Sequence, residues 1–171
     1  MDVMEAIEKR TSVRAYQDKP IPEETLKKIL KAARLAPSAR NAQPYKYIVV
    51  KDARMREKLA NEATPYHFIG EAPVILVAVA LQPDYVMRCE VPAYAVDVGI
   101  AFDHVTLVAV EEGLGTCWIG AFYQKPAKQI LNIPEKYKVV AILPVGYPAD
   151  GAGKKSRKSL NELVCYDTFT E

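Results

Sequence analysis

The residues of this chain best suited to binding an anion are basic, and they lie near its two ends. Arg10, Ser12 and Arg14 alternate along the sequence, so in an extended backbone their side chains would face the same way. Two guanidinium groups and one hydroxyl can hold a phosphate or a carbonyl edge through charge-assisted hydrogen bonds. On its own, the segment is explained at least as well by a solvated turn with ordinary surface arginines.

The second basic segment lies near the end of the chain, where residues 154–158 include four basic side chains. Gly151 and Gly153 precede it, and they permit either a folded or an irregular path. A short run of like charge is more typical of an exposed surface loop than of a binding site. One basic segment therefore decides nothing, and the two have to be weighed together.

A polar loop, residues 36–45, joins a predicted helix to a predicted strand, and two prolines frame its polar side chains. Asn41 and Gln43 are two residues apart, and each side chain offers a donor and an acceptor to one edge of a planar ligand. The same amides could instead satisfy the local backbone of an ordinary connection. Combined with the two basic segments, the loop indicates a flavin site.

Sequence patterns for other kinds of site are missing. The chain has no G-x-G-x-x-G fingerprint, no G-x-x-x-x-G-K-S/T loop and no G-x-S-x-G elbow. Its three cysteines and two histidines are too widely spaced for a disulfide framework or a zinc site, so no metal is expected. Residues from Thr116 to Gly120 would instead offer backbone amides at a strand end, where α/β sheets often bind ligands.

The composition predicts a single domain that spans residues 1–171. Half of the residues are hydrophobic, and the net charge of +2 gives no reason to expect a nucleic-acid partner. No apolar run approaches the roughly 20 residues that a membrane helix requires. The start of the chain is acidic and amphipathic rather than a secretory signal, so we expect a cytoplasmic protein.

The hydrophobic pattern predicts an alternation of helices and strands, which is typical of a sheet covered by helices. The uniformly apolar run Val74–Ala80 predicts a strand covered on both faces. The longest helix, from Pro92 to about Glu112, is apolar almost all round and predicts a core helix or a subunit interface. The apolar residues after 159 suggest a tail that docks on another surface, of which a neighbouring subunit is one candidate. Other predicted helices begin at Asp2, Pro22, Asp52 and Pro126, and the other predicted strands are Tyr45–Val50, Thr116–Ile119 and Val139–Gly146.

Five motifs taken together resemble those of the nitroreductase family of FMN-dependent oxidoreductases, and the resemblance covers nearly the whole chain. Each motif is weak or moderate alone, whereas their joint order and spacing is a strong signal. The motifs are residues 10–14 (RTSVR), 36–45 (APSARNAQPY), 97–101 (DVGIA), 113–120 (GLGTCWIG) and 155–157 (KSR).

The resemblance implies an α/β (α+β) fold with a central mixed sheet covered by helices. It implies a homodimer with the long helix at the interface, a C-terminal tail that extends to the partner subunit, and two FMN sites built from both chains. Arg10 would lie near the phosphate and Arg14 near the N1/O2 edge of the flavin. The cofactor-binding residues implied by the motifs are Arg10, Thr11, Ser12, Arg14, Lys155 and Arg157 from one chain, Trp118, Ile119 and Gly120 beside the flavin ring, and Pro37, Ser38, Ala39, Asn41 and Gln43 of the loop, which reaches across from the other chain.

The implied activity is the reduction of an electron-poor small molecule, such as a nitroaromatic compound or a quinone, by NADH or NADPH in a ping-pong reaction. No side chain is expected to be a catalyst, since the flavin carries the chemistry. The short region 63–74 has no clear asparagine for the flavin pyrimidine edge, and whether a residue near Tyr66–Phe68 replaces it is left open by the sequence. The alternative is a protein that binds flavin or another nucleotide on the same scaffold without turnover driven by a nicotinamide.

Overall fold

The computed structural model describes residues 1–151, 153 and 155–171. Ala152 and Lys154 lie outside the described residues, so the basic segment 154–158 is considered through its other four members.

Capping hydrogen bonds begin two of the helices where the sequence predicts them. Oδ1 of Asp2 accepts from the N–H of Glu5 at 2.8 Å, and Oδ1 of Asp52 accepts from the N–H of Met55 at 2.9 Å. These bonds satisfy amide groups that the first turn of a helix leaves free. The helices are α1 (Val3–Lys9), α2 (Glu23–Leu35), α3 (Ala53–Lys58), α4 (Ala93–Glu111), α5 (Gln124–Ile130) and α6 (Leu160–Leu163), with shorter helical turns at Ala39–Asn41, Leu59–Ala63 and His67–Gly70.

The sheet has four strands in the order β1-β2-β4-β3, with β1 (Tyr45–Val50), β2 (Val74–Ala80), β3 (Gly115–Thr116) and β4 (Lys138–Gly146). All three pairings between these strands are antiparallel, so the sheet is not the mixed one that was expected. The connection through α3 leaves β1 and enters β2 at the same end of the two strands, where Val50 pairs with Ile75. The parallel component among the described residues is a single bridge between Ser12 and Thr116.

Strand β2 is buried at all seven positions, which confirms that both of its faces are covered. Because side chains alternate along a strand, Leu76 and Ala78 pack in the cluster that contains residues of α2 and α4. Ile75 and Val77 pack on the other face, with the 59–69 region and α5. The central strand therefore joins two hydrophobic layers.

Helix α4 is 19 residues long with a mean hydropathy of 1.5, so by length and composition alone it could cross a membrane. This corrects the expectation that no apolar run approaches that length. A few polar residues interrupt α4, but its mean hydropathy remains high enough for a membrane span. In the fold the helix packs on the sheet and on α2, and its Phe102 and Val105 are fully buried. Val96, Ile100 and Leu107 lie on the opposite face, where they are exposed or half-buried.

The two ends of the chain leave apolar side chains exposed on the single protomer. Val3 and Met4 of α1 are exposed, and so are Leu160 and Leu163 of α6. Tyr166 and Phe169 are 86% and 84% exposed, which is unusual for aromatic side chains. The predicted apolar tail is therefore present but covers nothing in its own protomer.

The segment after β3 is less regular than predicted. Strand β3 ends at Thr116, and Ile119 joins the sheet only through an isolated bridge to Ile142. Helix α5 begins at Gln124 rather than at Pro126. These differences are small shifts of element boundaries, which sequence patterns define least well.

Candidate functional site

The first basic segment runs beside β3, and this contact sets the direction of its side chains. The N–H of Val13 donates to the carbonyl oxygen of Thr116 at 2.9 Å. Val13 packs on Gly115, where a Cβ atom would overlap the Val13 side chain. Since an extended chain alternates, Ser12 and Arg14 are left exposed on the other side, as the sequence predicts.

The chain that follows β4 holds this segment from its other side. The N–H of Ala149 donates to the carbonyl oxygen of Ala15 at 3.0 Å. The buried Tyr16 donates its hydroxyl to the carbonyl oxygen of Val13 at 2.9 Å. The two ends of the domain therefore run side by side, although they are far apart in sequence.

Lys155 ties the second basic segment to the end of α1. Its Nζ donates to the carbonyl oxygens of Ile7 and Glu8, at 2.5 and 2.7 Å. Carbonyl groups in the last turn of a helix carry partial negative charge and favour a cation. Partial loss of hydration, with the charges of Arg10 and Arg157, lowers the pKa of Lys155. The three cations are therefore close enough to disfavour one another.

Side chains from both ends of the chain line one cleft of about 190 Å³, which we name the cationic cleft. Among the described residues, its lining includes four basic side chains and no acidic one. Guanidinium and ammonium donors together with a serine hydroxyl form the donor set that a phosphate dianion requires. The cleft fits a phosphate for this reason, and a bound dianion would relieve the repulsion between its cations. The lining residues are Arg10, Thr11, Ser12, Arg14, Gly153, Lys155, Ser156 and Arg157.

A cysteine lies close to the cationic cleft but is not suited to chemistry. Cys117 is buried, and burial raises the pKa of its thiol, an effect that the charge of Arg14 and hydrogen bonding by Ser12 only partly offset. The thiol is neutral at neutral pH, so it has little nucleophilic character. Cys117 therefore serves as a packing residue beneath the basic segment.

The polar loop, which we name the proline-framed loop (residues 37–44), has an unusual backbone. Arg40, Asn41 and Gln43 have φ angles of 54°, 53° and 49°, in the left-handed region that costs a residue other than glycine about 1 kcal/mol. Oγ of Ser38 accepts from the N–H of Gln43 at 3.0 Å, and Nε2 of Gln43 donates to Oδ1 of Asn41 at 3.1 Å. The two amides thus bond to each other within the protomer.

A buried carboxylate that sequence reasoning gave no role contacts this loop. Asp97 of α4 is 2% exposed, and its Oδ1 accepts from the N–H of Ala39 at 2.9 Å. Among the described residues, Oδ2 of Asp97 and the hydroxyls of Tyr45 and Tyr47 are buried without a hydrogen-bond partner. The signal that could have found this residue is an acidic side chain in a helix that is otherwise largely apolar.

Residues 118–120 present a half-exposed surface after β3. Trp118 is 44% exposed and contacts Phe102 edge-on, with ring centroids 5.5 Å apart. Ile119 is buried. A Cβ atom at Gly120 would meet only Nε1 of Trp118 at 3.9 Å, so the backbone here stays accessible.

The predicted site residues fall into separate groups on the protomer. Arg10, Thr11, Ser12, Arg14, Lys155 and Arg157 line the cationic cleft together. The loop residues Pro37, Ser38, Ala39, Asn41 and Gln43 do not line it, and neither do Trp118, Ile119 and Gly120. Tyr66 and Phe68 form an aromatic pair with centroids 5.8 Å apart, and they also lie outside the lining of the cleft.

Known proteins similar to this chain agree on one family. The model of the family described as "Nitroreductase family" matches residues 7–65 and 62–147. A protein of Methanothermobacter thermautotrophicus named "Putative NADH dehydrogenase/NAD(P)H nitroreductase" is 36% identical over 161 residues, which are 91% of this chain and 82% of the relative. A protein of Bacillus subtilis named FMN reductase (NAD(P)H) is 31% identical over 185 residues, with 98% of this chain and 74% of the relative covered. The crystal structure of a nitroreductase family protein from Clostridium difficile superposes with a TM-score of 0.89 at 29% identity, covering 99% of this chain and 100% of that one.

Proposed function

This chain belongs to the nitroreductase family, and from its site we propose that it is an FMN-dependent oxidoreductase that uses NAD(P)H. One observation carries the proposal: basic side chains from the two ends of the chain converge on the cationic cleft. The family relationship raises the expectation, while the cleft supplies residues of this chain with the chemistry to hold the cofactor.

The phosphate of FMN fits the cationic cleft. Arg10, Lys155 and Arg157 would bind it, with the hydroxyl of Ser12 as a further donor. The pKa of Lys155 is lowered first by partial loss of hydration and then by the charges of Arg10 and Arg157, and a phosphate dianion would neutralise those charges. Arg14 would hold a positive charge beside the pyrimidine edge of the flavin, where it favours the gain of electrons.

Bound FMN supplies the redox chemistry, taking electrons from NADH or NADPH and passing them to an acceptor. The chain itself would bind and orient the cofactor and leave one of its faces open. Trp118 and Gly120 would lie beside the flavin ring, where the accessible backbone near Gly120 offers a hydrogen-bond donor. We infer a ping-pong reaction in which nicotinamide and acceptor use the same open face in turn. The acceptor would be an electron-poor small molecule such as a nitroaromatic compound or a quinone.

We further propose that the protein is a homodimer whose sites are built from both chains. The outer face of α4, with Val96, Ile100 and Leu107, and the apolar side chains of the C-terminal tail support this arrangement. Solvent-exposed apolar surface of this kind marks an interface between proteins. The proline-framed loop would reach the flavin of the partner subunit, which accounts for its position away from the cationic cleft.

We also infer a cytoplasmic location and no nucleic-acid or membrane partner. The core packing of α4 argues for a helix of a soluble fold rather than a membrane span. The net charge of +2 argues against the extended basic face that nucleic acids require.

The test is the colour of the purified protein and its response to nicotinamide. Protein that retains FMN is expected to be yellow and to bleach when NADH or NADPH is added without oxygen. Reoxidation by a nitroaromatic compound or a quinone, with parallel lines in a double-reciprocal plot, would support the ping-pong reaction. Colourless protein that FMN cannot reconstitute would exclude the proposal. Yellow protein that neither nicotinamide reduces would instead favour a flavin-binding protein without turnover.

A further inference from the structure

The carboxylate of Asp97 is the most deeply buried acidic group among the described residues, and neither the cationic cleft nor the proposed reaction uses it. We propose that Asp97 is a positioning residue that holds the proline-framed loop in the conformation that binds FMN of the partner subunit. This inference rests on the proposed function, since it takes the loop to be part of an FMN site.

The hydrogen bonds inside the loop fix its shape but not its position. The N–H of Asn41 donates to the carbonyl oxygen of Ser38 at 2.9 Å, and that of Ala42 donates to the carbonyl oxygen of Ala39 at 3.1 Å. These bonds join residues that are neighbours in sequence. They would persist if the loop moved as a unit, so something outside the loop must hold it in place.

Among the described residues, two hydrogen bonds and one cation–π contact join the loop to segments that are distant in sequence. The N–H of Leu81 donates to the carbonyl oxygen of Pro44 at 2.8 Å, which anchors the end of the loop. The exposed guanidinium of Arg40 lies over the ring of Tyr85 with Cζ 4.4 Å from its centroid, and solvent weakens this contact. The bond from Ala39 to Asp97 is the third, and it alone is made by a side chain that is 2% exposed. Asp97 is therefore the strongest anchor of the turn at Ala39–Asn41.

The backbone of this turn needs such an anchor. Residues other than glycine stay in the left-handed region only where the surrounding structure holds them there. Three of them, Arg40, Asn41 and Gln43, are found within four positions. Because Asp97 is buried, its hydrogen bond to the Ala39 amide is screened little by solvent. The bond to Ala39 thus fixes the entry to the strained turn.

The surroundings of Asp97 indicate that the carboxylate is not there for stability. Its second oxygen is buried without a hydrogen-bond partner among the described residues, which native cores seldom tolerate. Burial raises the pKa of Tyr47, and the charge of Asp97 adds to this effect, so the hydroxyl remains protonated. A buried carboxylate with an unpartnered oxygen is unfavourable for folding, so we attribute its presence to the hydrogen bond that it makes with the Ala39 amide.

The location of Asp97 on α4 gives the anchor a wider consequence. Residues Val96 and Ile100 of the same helix turn toward the exposed face that we assign to the dimer interface. The loop is therefore attached to α4, the helix that would contact the partner subunit. Docking of the two subunits and placement of the loop beside the partner's cofactor would then be one event.

The experiment compares Asp97→Leu, which removes the acceptor at similar size, with Asp97→Asn, which keeps an oxygen for the Ala39 amide. We expect Asp97→Leu to raise the dissociation constant of FMN about tenfold or more, and Asp97→Asn to change it less than about threefold. Without FMN, the thermal midpoint of Asp97→Leu should change little, because removal of an unpartnered buried oxygen offsets the loss of the hydrogen bond to the Ala39 amide. Amide exchange at Ala39 should become faster in Asp97→Leu. Asp18→Leu, an exposed site, is the matched control.

Wild-type FMN affinity in Asp97→Leu would overturn the proposal. Equal losses in Asp97→Leu and Asp97→Asn would do the same, as would a loss of affinity that only follows a lower thermal midpoint. If Asp97→Leu does not fold, Asp97→Ala replaces it with the same expectations. If the wild-type chain does not bind FMN, the proposed function fails, and exchange at Ala39 in the cofactor-free protein still decides whether Asp97 holds the loop.

Discussion

The cationic cleft and the proline-framed loop, the two regions that we propose to bind FMN, are built in different ways. The cleft is exposed, rich in charge and assembled from segments at the two ends of the chain. The loop is a single short segment with one basic side chain, a strained backbone and a buried anchor. Under the proposed function, the cleft would supply charge for a phosphate, whereas the loop would supply fixed geometry for a planar edge.

The difference predicts unequal energetic roles. Removing one partner from a hydrogen-bonded charge pair that binding buries costs about 2–5 kcal/mol, whereas a neutral hydrogen bond contributes about 0.5–1.5 kcal/mol. Damage to the cleft should therefore remove the cofactor, and damage to the loop should weaken or misplace it. If mutations in the two regions affect FMN binding alike, the proposed difference between the cleft and the loop is wrong.

The largest expected effect comes from removing two cations of the cleft. Arg10→Ala combined with Arg157→Ala should weaken FMN binding by at least about 100-fold, because two charged contacts to the phosphate are lost. Protein purified by gel filtration should then be colourless, while its elution volume stays that of the wild type. Flavin fluorescence titration measures the dissociation constant.

The matched control removes two exposed cations from α2, Lys31→Ala with Arg34→Ala. It has the same change in net charge, so it shows whether long-range attraction alone explains the loss. Undiminished flavin content in the Arg10 and Arg157 variant would refute the phosphate assignment. A similar loss in the control would reduce the cleft to a general electrostatic effect.

The cleft could be predicted from sequence because its signals are local and additive. The sequence itself shows the alternation of Arg10, Ser12 and Arg14 and the second basic segment. The resemblance to the family's motifs implies that both bind one ligand. The helices and strands were also predictable, because their signals are local. Asp2 caps the first turn of α1, and the uniformly apolar run Val74–Ala80 forms a buried strand.

The anchoring contacts could not be predicted, because they join residues that are distant in sequence and similar to many others. The bond between Ala39 and Asp97 crosses 58 positions, and that between Lys155 and Ile7 crosses 148. The antiparallel arrangement was missed for a related reason. An alternation of helices and strands does not show at which end of the sheet the next strand begins. The pairing is antiparallel if it begins where the preceding strand ended, and parallel if it begins at the opposite end.

The second prediction tests whether cleft and loop of one site belong to different chains. The loop variant Ser38→Ala with Asn41→Gly should bind FMN about tenfold more weakly, since neutral contacts are lost and glycine tolerates the backbone of position 41. A heterodimer of this variant with the Arg10 and Arg157 variant would contain one undamaged site and one site damaged in both regions. It should bind about one FMN with wild-type affinity.

Differently tagged chains, co-expressed and purified through both tags, provide the heterodimer for titration. If each site lay within one chain, the heterodimer would bind its FMN only with the weakened affinity of the loop variant. That result would assign cleft and loop to the same subunit and break the division between them. Homodimers of each variant serve as the controls.

The smallest expected effect concerns the pH dependence of the cleft without FMN. The pKa of Lys155 is lowered from 10.5 in the folded protein, so the folded chain releases this proton at a pH where the unfolded chain still holds it. Stability should therefore rise with pH between the lowered pKa and 10.5. The rise should be slight, because solvent screens this exposed side chain. Lys155→Met should remove it, Lys158→Met should not, and bound FMN should suppress it by restoring the charge balance. Urea midpoints across this pH range provide the measurement, and identical curves for Lys155→Met and the wild type would show that folding does not lower the pKa of Lys155.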